Sequence, residues 1–460
     1  MQAFPNDELI AKYNHPVPRY TSYPPANFFH DQLAQNTPDN LIYASNTALP
    51  DAISLYIHVP FCPQICHFCA CNSCTIPAKT HVEHYFKAVN HELLNLAKKL
   101  DNHRPVKQVH WGGGTPNGVA LHYLKEIMEL IFEHFSVATN AEIAVEAHPG
   151  YLDMKQLEQL KAMGFTRLSL GVQDIHPRIL NTLHRREPKL PLRELIPAIH
   201  QAGFRSLNVD LVYGLPGQSA DDFLTSVEHI STLKPDRIVT FSYAHVPWVK
   251  GTQNKLDKVY RIEGNEKLRL FTKGKDILHN QGYTALGLDH FALPQDPLVK
   301  AYEQKQLHRN FMGYALKEQT GQVYGVGASA ISQLSDGYLQ THRDYQSYTK
   351  AIIEKGTAYI RGYKLNEEEK VVRAVVTQVM CNGELNWEIM ARETKTSSDR
   401  LREVTRFEED KLISFEQEGL IVSNTKGFSL TPQGWFFVRN IASLFDPLYQ
   451  QTTKHYSKSI

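Results

Sequence analysis

Five of the six cysteines of this 460-residue chain lie close together, at Cys62, Cys66, Cys69, Cys71 and Cys74. A disulfide framework distributes its cysteines so that they close large loops, and a reducing compartment does not keep such bonds oxidised. Thiolates grouped at this spacing are typical metal ligands. The sequence therefore predicts a metal site on this loop, with a structural zinc site as the simplest alternative to a redox centre.

Three of these thiols, in the spacing Cys62-x3-Cys66-x2-Cys69, follow a predicted strand directly. A [4Fe–4S] cluster has four irons, and electron-transfer clusters are usually closed by four cysteines. Three ligands leave one iron free to bind another molecule. The count therefore favours a cluster that takes part in chemistry.

A glycine run, Gly112-Gly113-Gly114-Thr115-Pro116, follows the next predicted strand. Glycines are also common in ordinary turns, so the run alone is weak support for a ligand site. Its position after a strand matters more, because glycine lets the backbone approach a ligand closely.

Between about residues 50 and 290, short β-rich runs alternate with amphipathic helical stretches. The predicted strands are Leu55–Val59, Val106–Trp111, Glu142–Ala147, Arg167–Val172, Ser206–Val212 and Arg237–Tyr243. The predicted helices are His81–Leu100, Leu121–Phe135, Asp153–Met163, Leu192–Ala202, Ala220–Leu233 and Glu266–Gln281. This alternation predicts an α/β fold, an open partial parallel β/α barrel of about six repeats.

Polar residues end successive strands of this repeat. In parallel barrels, ligands gather at the carboxyl ends of the strands. Ordinary turns account for the glycines and prolines there, but not for charged and amide side chains at successive strand ends. These include Glu146, Gln173, Asp210 and the run Tyr243–His245.

The chain divides by pattern into an N-terminal arm (1–35), a catalytic domain (36–350) and a mainly α-helical C-terminal domain (351–460). The arm is rich in Pro and Tyr and is not expected to form a regular helix. The C-terminal end reads as helix, hairpin, helix, which resembles a winged helix. Its first helix is acidic, so packing or a lid role is favoured over DNA binding.

Charge and hydropathy exclude several partners. Lys and Arg number 49 against 48 Asp and Glu, so the net charge of +1 provides no global field for nucleic acid or anionic membrane. The sequence has no apolar run of about 20 residues and no signal peptide pattern at its start. We expect a cytoplasmic protein that neither inserts in a membrane nor binds nucleic acid.

The cysteine loop after the first strand and the glycine loop after the second resemble those of the radical S-adenosylmethionine (SAM) superfamily. Over nearly the whole chain the sequence also resembles the oxygen-independent coproporphyrinogen III oxidases, also called dehydrogenases, of heme synthesis. The segments that carry this resemblance are KYNHPVPRYTSYP, YIHVPFCPQICHFCACN, HWGGGTPN, RLSLGVQD, NVDLVYGLPGQ, SYAHVP, GLDHFALP, LHRNFMGY and GVGASAIS.

The resemblance implies an oxidoreductase that converts two propionate side chains of coproporphyrinogen III to vinyl groups, giving protoporphyrinogen IX. It implies a [4Fe–4S] cluster on Cys62, Cys66 and Cys69, with Cys71 as a signature residue that is not a ligand. It also implies two SAM molecules, of which one is cleaved at the open iron to methionine and a 5′-deoxyadenosyl radical. A reductase and an electron acceptor, both unidentified, are expected partners of a monomer.

The resemblance further assigns residues to the two SAM molecules. The cluster-bound SAM would meet Tyr56, Gly113, Glu146 and Ile331. The second would meet Phe68, Gly114, Thr115, Gln173, Arg185, Asp210 and Ala244. Each residue has a plainer alternative: Phe68 as loop packing, Asp210 as a cap, Arg185 as a solvated charge and Glu146 as a surface acid.

Tyr56, His58 and Glu146 are the expected catalytic residues, although His58 is equally a candidate core histidine. The substrate carries four carboxylates, so its pocket should supply cations. Arg19, His308 and Arg309 are the candidates for these, with Tyr20, Tyr23, Phe311 and Tyr314 as candidate ring contacts.

Two alternatives within the resemblance differ in activity. One is a tetrapyrrole-modifying paralogue, such as a heme-degrading radical methyltransferase. The other is a noncatalytic heme chaperone, but the N-terminal arm and the Cys69-x-Cys71 feature favour the oxidase over both.

Overall fold

A computed structural model describes residues 4–32, 37–451 and 456–458. Its centre is a twelve-stranded sheet in the order β12-β11-β10-β9-β1-β2-β3-β4-β5-β6-β8-β7. The strands are β1 Ile53–Val59, β2 Val106–Gly113, β3 Val137–Ala147, β4 Arg167–Gln173, β5 Ser206–Tyr213, β6 Arg237–Ser242, β7 Thr284–Leu286, β8 His290–Ala292, β9 Gln322–Val326, β10 Ile331–Leu334, β11 Gly337–Thr341 and β12 Tyr359–Lys364.

Six helices follow the strands β1 to β6. They are α1 Lys79–Lys99, α2 Leu121–His134, α3 Met154–Ala162, α4 Leu192–Gln201, α5 Ala220–Thr232 and α6 Gly264–Asn280. All six predicted strands and all six predicted helices are present, and the open β/α barrel is confirmed. The largest difference is at β3, which begins at Val137 instead of Glu142, because four of its first five residues are exposed or only partly buried and lack an apolar pattern.

Side chains of β1 alternate between two environments, as the period of a strand requires. Leu55, Ile57 and Val59 are fully buried in the main hydrophobic core with the helices. Tyr56 and His58 point to the opposite face, toward the barrel interior. The same alternation continues in β3 to β5, so the interior of the barrel is polar.

A seventh parallel strand, β9, extends the barrel beyond the six predicted repeats. It pairs with β1 so that Gly325 lies opposite Tyr56. The strands β10, β11 and β12 then continue antiparallel from β9, and β8 and β7 continue antiparallel from β6. The barrel is therefore open, with β12 and β7 at the edges of the sheet.

Within residues 4–32 of the N-terminal arm, Asp7–Tyr13 forms a regular helix, although the composition of the arm predicted none. The Asn6 side chain caps it by accepting a hydrogen bond from the Leu9 amide at 2.8 Å, and the helix ends before Pro16. Further along, His30 pairs with Gly362 of the edge strand β12. The arm thus covers part of the sheet edge.

The C-terminal region has the predicted helix, hairpin, helix order, in Glu409–Gln417, Ile421–Asn424 with Gly427–Leu430, and Val438–Ser443. Arm and C-terminal region share one hydrophobic cluster, and the Tyr20 hydroxyl donates to Asp446 at 2.9 Å. The division at residue 350 stays a prediction, although β12 continues the main sheet beyond that residue.

The other helices are short connections or belong to the C-terminal region. They are Thr37–Ala44, Pro177–Thr182, Pro297–Glu303, Tyr345–Lys355, Glu367–Asn382, Trp387–Glu393, Ser398–Val404 and Pro447–Gln450. Smaller strand pairs lie at Phe61–Cys62 with Cys74–Thr75 and at Leu307–Asn310 with Gly313–Leu316, and Glu384–Asn386 joins the C-terminal hairpin. Within the described ranges, no helix has the length and apolar character needed to cross a bilayer.

Candidate radical SAM site and its neighbouring cavity

The cysteine loop leaves the carboxyl end of β1 and is closed by its own backbone. Phe61–Cys62 pairs in parallel with Cys74–Thr75, and the Cys74 amide donates to the Pro60 carbonyl at 2.8 Å. Cys62 and Cys66 are buried, and Cys69 is partly buried. The loop is therefore fixed at both ends by backbone hydrogen bonds.

Each of the three predicted ligand sulfurs accepts one hydrogen bond. Thr115 Oγ1 donates to Cys62 Sγ at 3.3 Å, Arg185 Nη1 to Cys66 Sγ at 3.3 Å, and the Cys71 amide to Cys69 Sγ at 3.4 Å. Burial raises the pKa of Cys62 to about 11, and a bound metal cation would favour its thiolate. Donors aimed at sulfur fit thiolate ligands of an iron–sulfur cluster.

Three successive glycines form the loop at the end of β2, and each has a different close neighbour that leaves no room for a side chain. A Cβ on Gly112 would lie 2.7 Å from Glu146 Oε1, and one on Gly113 would lie 2.6 Å from the His58 ring. A Cβ on Gly114 would lie 2.8 Å from the Phe61 carbonyl oxygen. Gly113 also has φ +114°, which disfavours any side chain. The loop therefore packs directly on the groups that surround it.

Tyr56 and His58 form a hydrogen-bonded chain to the far end of the cysteine loop. His58 Nε2 lies 3.0 Å from the Asn72 carbonyl oxygen, which can only accept, so Nε2 carries the proton. His58 Nδ1 therefore accepts from the Tyr56 hydroxyl at 3.1 Å. Burial lowers the pKa of His58, which keeps this tautomer neutral. Both ring nitrogens of His58 therefore have partners within the protein.

Glu146 extends from β3 into the barrel interior and is held as a carboxylate. Enclosure in the barrel raises its pKa, but hydrogen bonds from His110 Nε2 at 3.1 Å and the Gly113 amide at 3.2 Å outweigh this effect, so the pKa lies below its usual value. About 42% of the side chain is accessible from the interior. Glu146 is therefore an oriented acceptor with surface left for a ligand, and it is not a surface acid.

Asp210, on β5, has the opposite electrostatic balance. Burial raises its pKa to about 7, and the charge of Glu146 adds to this effect, although Asn208 Nδ2 donates to its Oδ1 at 2.7 Å. Its contacts lie within the barrel interior, so it does not act as a cap for the following segment.

Gln173 and Arg185 are held close to the carboxyl end of β4. Gln173 has φ +71°, an uncommon conformation for a residue with a side chain. Arg185 is buried and donates both to Cys66 and to the Gly171 carbonyl, so it is not a solvated charge.

The remaining predicted SAM contacts lie around this centre. Phe68 is partly buried against the hydrophobic cluster that contains Tyr243 and Leu215. Ile331, the first residue of β10, is partly buried against the cluster that contains Tyr338. Ala244 is exposed on the loop after β6. Gln253, which sequence reasoning missed, joins two of these segments. Its fully buried amide donates to the Phe68 carbonyl at 2.8 Å and the Ala244 carbonyl at 3.3 Å. Nothing in the local sequence, GTQNKL, indicates this role.

A cavity of about 500 Å³ begins at the Tyr243–His245 loop and extends between α6, the arm and the C-terminal region. Its lining is rich in cations, against the acids Glu263 and Asp289. The cations are Arg19, Arg261, Lys267, Lys275, Arg309, Arg439 and Lys458. Of these, sequence reasoning identified Arg19 and Arg309. The others come from two segments far apart in the sequence, Arg261–Lys275 and Arg439–Lys458, and no motif relates them.

Some of the expected substrate contacts do not line this cavity. Tyr20 and Tyr23 are buried in the cluster shared by arm and C-terminal region, and Phe311 packs on Tyr338. Tyr314 is buried beneath Arg309, whose guanidinium carbon lies 5.2 Å from the ring centroid. His308 is likewise absent from the lining, and burial lowers its pKa to about 4, which makes it a poor cation near neutral pH.

Arg309 is the cation in this cavity with the clearest unused hydrogen-bonding capacity. Its Nε and Nη1 atoms are buried and have no hydrogen-bond partner among the described residues. Buried polar groups of folded proteins are nearly always paired. An anionic ligand in the cavity would supply the missing acceptors.

A sequence model of the radical SAM superfamily matches residues 56–230, which include the cysteine loop, the glycine loop, Glu146 and Asp210. Fold and site together define a radical SAM protein, and the superfamily uses a [4Fe–4S] cluster with SAM. This removes the structural zinc alternative.

Relatives extend the match to the full chain. The oxygen-independent coproporphyrinogen III oxidase of Synechocystis is 35% identical, covering 97% of this chain and 96% of its own, and that of Escherichia coli is 33% identical with the same coverage. The solved structure of coproporphyrinogen III oxidase from Escherichia coli superposes with a TM-score of 0.88 at 31% identity, covering 97% of this chain and 100% of its own. This chain belongs to the family of oxygen-independent coproporphyrinogen III oxidases.

Proposed function

We propose that this chain catalyses the oxygen-independent oxidative decarboxylation of coproporphyrinogen III to protoporphyrinogen IX. The cation-rich cavity, whose lining residue Ala244 is linked through Gln253 to Phe68 of the cysteine loop, is the observation that carries the proposal. Coproporphyrinogen III has four carboxylates on its rim, and Arg19, Lys267, Lys275 and Arg309 provide cations on several sides of one cavity. Ala244 belongs both to the cavity lining and to the predicted SAM contacts.

Cys62, Cys66 and Cys69 would hold three irons of the cluster and leave the fourth iron for SAM. When bound, cluster and SAM supply a carbon radical that can remove a hydrogen atom from an unactivated carbon, which no side-chain acid or base can do. Thr115 and Arg185 would each donate a hydrogen bond to a ligand sulfur, which stabilises the thiolates.

Two SAM molecules are proposed to bind side by side. Tyr56, Gly113, Glu146 and Ile331 would contact the cluster-bound molecule, and the carboxylate of Glu146 suits an amino group or ribose hydroxyls. Phe68, Gly114, Thr115, Gln173, Arg185, Asp210 and Ala244 would contact the second. Because Thr115 and Arg185 already donate to ligand sulfurs, we propose that each contacts both a cluster ligand and the second SAM molecule.

Tyr56 and Glu146 would act on bound SAM directly, whereas His58 would act through Tyr56. The neutral His58 fixes the direction of the Tyr56 hydroxyl and ties β1 to the carbonyl of Asn72. His110 plays the matching part for Glu146, because its Nε2–H fixes one carboxylate oxygen.

The net change at each propionate balances as follows. The side chain loses one hydrogen atom from its β-carbon, then carbon dioxide and one electron, and a vinyl group remains. The electron requires an acceptor, and the cluster requires a reductase as donor, so two redox partners are expected. We further propose that the protein acts as a monomer in the cytoplasm.

Neither alternative activity is favoured. A heme chaperone requires no SAM contacts, whereas the hydrogen bond from the Gly113 amide to Glu146 supports a SAM-binding role for these residues. A heme-degrading enzyme would act on an oxidised macrocycle, whereas the relatives found over the full chain are coproporphyrinogen oxidases.

The test is anaerobic. Reconstituted protein receives reductant, SAM and coproporphyrinogen III, and 5′-deoxyadenosine and oxidised protoporphyrin are separated by chromatography. Formation of both products, lost in Cys66→Ser, would support the proposal. If 5′-deoxyadenosine forms but no vinyl product appears, even with an added electron acceptor, the substrate assignment is wrong.

A further inference from the structure

Asp289 is a carboxylate in the lining of a cavity that is otherwise suited to anions. It lies in the turn between β7 and β8, at the start of the strand His290–Ala292. His290 Nδ1 donates to its Oδ1 at 2.7 Å, and its backbone carbonyl accepts from the Thr240 amide at 2.9 Å. The side chain is thus fixed in direction and is not a mobile surface acid.

The second carboxylate oxygen of Asp289 is free. Within the part of the chain that the structure describes, Oδ2 has no hydrogen-bond partner, and Arg19 and Arg309 lie beyond ion-pair distance. About 22% of the side chain is accessible. Because Asp289 belongs to the cavity lining, this accessible part is available to a ligand.

Close packing of Tyr314 against Gly287 and Leu288 fixes the turn that carries Asp289. Gly287 has φ +59°, and a Cβ there would lie 2.0 Å from the Tyr314 hydroxyl oxygen. That hydroxyl accepts from the Leu288 amide at 3.4 Å. The same Tyr314 ring lies beneath Arg309 and edge-on to His290, with ring centroids 4.8 Å apart. The buried Tyr314 therefore contacts both the turn that carries Asp289 and the neighbouring Arg309.

The negative charge of Asp289 repels the carboxylates on the rim of the proposed substrate. Four substrate carboxylates would be repelled by Asp289, whose charge adds to that of Glu263 in the same cavity. Burial raises the pKa of Asp289, but the hydrogen bond from His290 and the charges of Arg309 and Arg19 outweigh this effect, so the group stays ionised. The ionised Asp289 is balanced by His290 and the neighbouring arginines, and its free Oδ2 can accept from a ligand that presents hydrogen-bond donors.

A porphyrinogen presents such donors at its centre. All four pyrrole nitrogens carry a hydrogen, and none can accept. We propose that Asp289 accepts hydrogen bonds from the central pyrrole N–H groups of the substrate, while the cations of the cavity bind its rim carboxylates. This inference rests on the proposed function and adds a specificity: the reduced porphyrinogen is preferred over the oxidised porphyrin.

The preference has a chemical basis. In the oxidised porphyrin only two of the four nitrogens carry a hydrogen, and the other two present lone pairs that repel a carboxylate. Leaving a charged acceptor without its donor weakens binding by about 10- to 100-fold. The rim carboxylates of the two forms are the same, so the cations of the cavity cannot distinguish them by charge.

The experiment is anaerobic equilibrium dialysis of the reconstituted protein without SAM, so that no turnover occurs. Coproporphyrinogen III and coproporphyrin III are measured separately, in the wild type, Asp289→Asn, Asp289→Glu and Glu263→Gln. The last variant removes one negative charge from the same cavity, at an exposed acid that pairs with Arg261 at 3.2 Å. It therefore controls for the change in total charge.

We expect the wild type to bind the porphyrinogen more tightly than the porphyrin. In Asp289→Asn the ratio of the two affinities should fall at least about tenfold. Glu263→Gln should change both affinities alike and keep their ratio. Asp289→Glu retains the charge but displaces the carboxylate by one methylene, so it should lose about two- to tenfold of the preference and serves if the Asn variant does not fold. An unchanged ratio in Asp289→Asn, or in Asp289→Glu where the Asn variant does not fold, would overturn this inference alone. A wild type that binds no coproporphyrinogen III would overturn the proposed function and the inference with it.

Discussion

The cofactor site and the neighbouring cavity differ in how their polar groups are used. Around the cysteine loop, His58, Glu146 and Arg185 each have partners within the protein before any cofactor binds. In the cavity, two nitrogens of Arg309 and one oxygen of Asp289 have none among the described residues. The first region is organised in advance, and the second keeps its hydrogen-bonding capacity for a ligand.

This difference separates two functions. Groups that are already paired fix the positions of cluster and SAM, so changes there should affect radical formation. Changes to the groups that are left unpaired should alter only the affinity for the tetrapyrrole. Variants that fail to follow this division would contradict the account.

The largest effect is expected from Cys66→Ser. A hydroxyl is a poor ligand for iron, so the variant should fail to hold the cluster, and formation of 5′-deoxyadenosine should be abolished. Iron and sulfide content and the visible spectrum of the anaerobically reconstituted protein provide the measurement. Cys74→Ser is the matched control on the same loop, and it should retain a full cluster. A cluster that assembles normally in Cys66→Ser would disprove the ligand assignment.

Gly113→Ala should follow, because the added Cβ would lie 2.6 Å from the His58 ring at φ +114°. Displacement of the loop or of His58 should reduce 5′-deoxyadenosine formation at least about 100-fold. Gly282→Ala is the control, since it has φ +88° with nothing within 4 Å of the added carbon. It should lose about 1 kcal/mol of stability from backbone strain and keep its activity. Equal activity in the two variants would refute close packing at Gly113.

Arg309→Gln should act only on the substrate. Removing a charge-assisted hydrogen bond should raise the Kd for coproporphyrinogen III about 10- to 100-fold. Cleavage of SAM by strong reductant without substrate should be unchanged. Arg193→Gln, an exposed arginine on α4, should alter neither quantity. Loss of SAM cleavage in Arg309→Gln would show that the two regions are not separate.

The smallest effect concerns the pH dependence of stability. The pKa of Asp210 is raised to about 7 in the folded protein, above its value of about 4 when unfolded. The folded state therefore holds a proton more tightly, and the free energy of unfolding falls as pH rises from about 4 to 7. Relative to the wild type, Asp210→Asn should gain thermal stability across this range in cofactor-free protein. The exposed Asp31→Asn should not, and a pH-independent difference for Asp210→Asn would contradict the raised pKa.

The same contrast explains what the sequence could predict. The cofactor site uses short contiguous motifs, each following one strand, so Cys62, Gly113 and Glu146 could be predicted to meet once a parallel barrel was expected. The polar face of each strand and the role of His58 in holding Asn72 depend on tertiary contacts, and spacing along the chain does not report them.

The cavity could be predicted only in part. It brings Arg19, Lys267 and Arg439 together from segments more than 150 residues apart. No periodicity links such positions, and aromatic residues in the same motifs, such as Tyr20 and Tyr314, are buried behind the cavity instead of lining it. The short helix Asp7–Tyr13 was missed because the prolines that follow it dominate the composition of the arm.

A radical formed at the cysteine loop should act on a propionate held in the cavity that contains Ala244 and Arg309. The most direct test uses coproporphyrinogen III with deuterium on the β-carbons of its propionates, incubated anaerobically with the reconstituted protein, reductant and SAM. Mass spectrometry of the 5′-deoxyadenosine should then show one added deuterium per molecule, together with vinyl product. Unlabelled 5′-deoxyadenosine alongside the vinyl product would contradict the account, because the hydrogen atom would have been removed by another group.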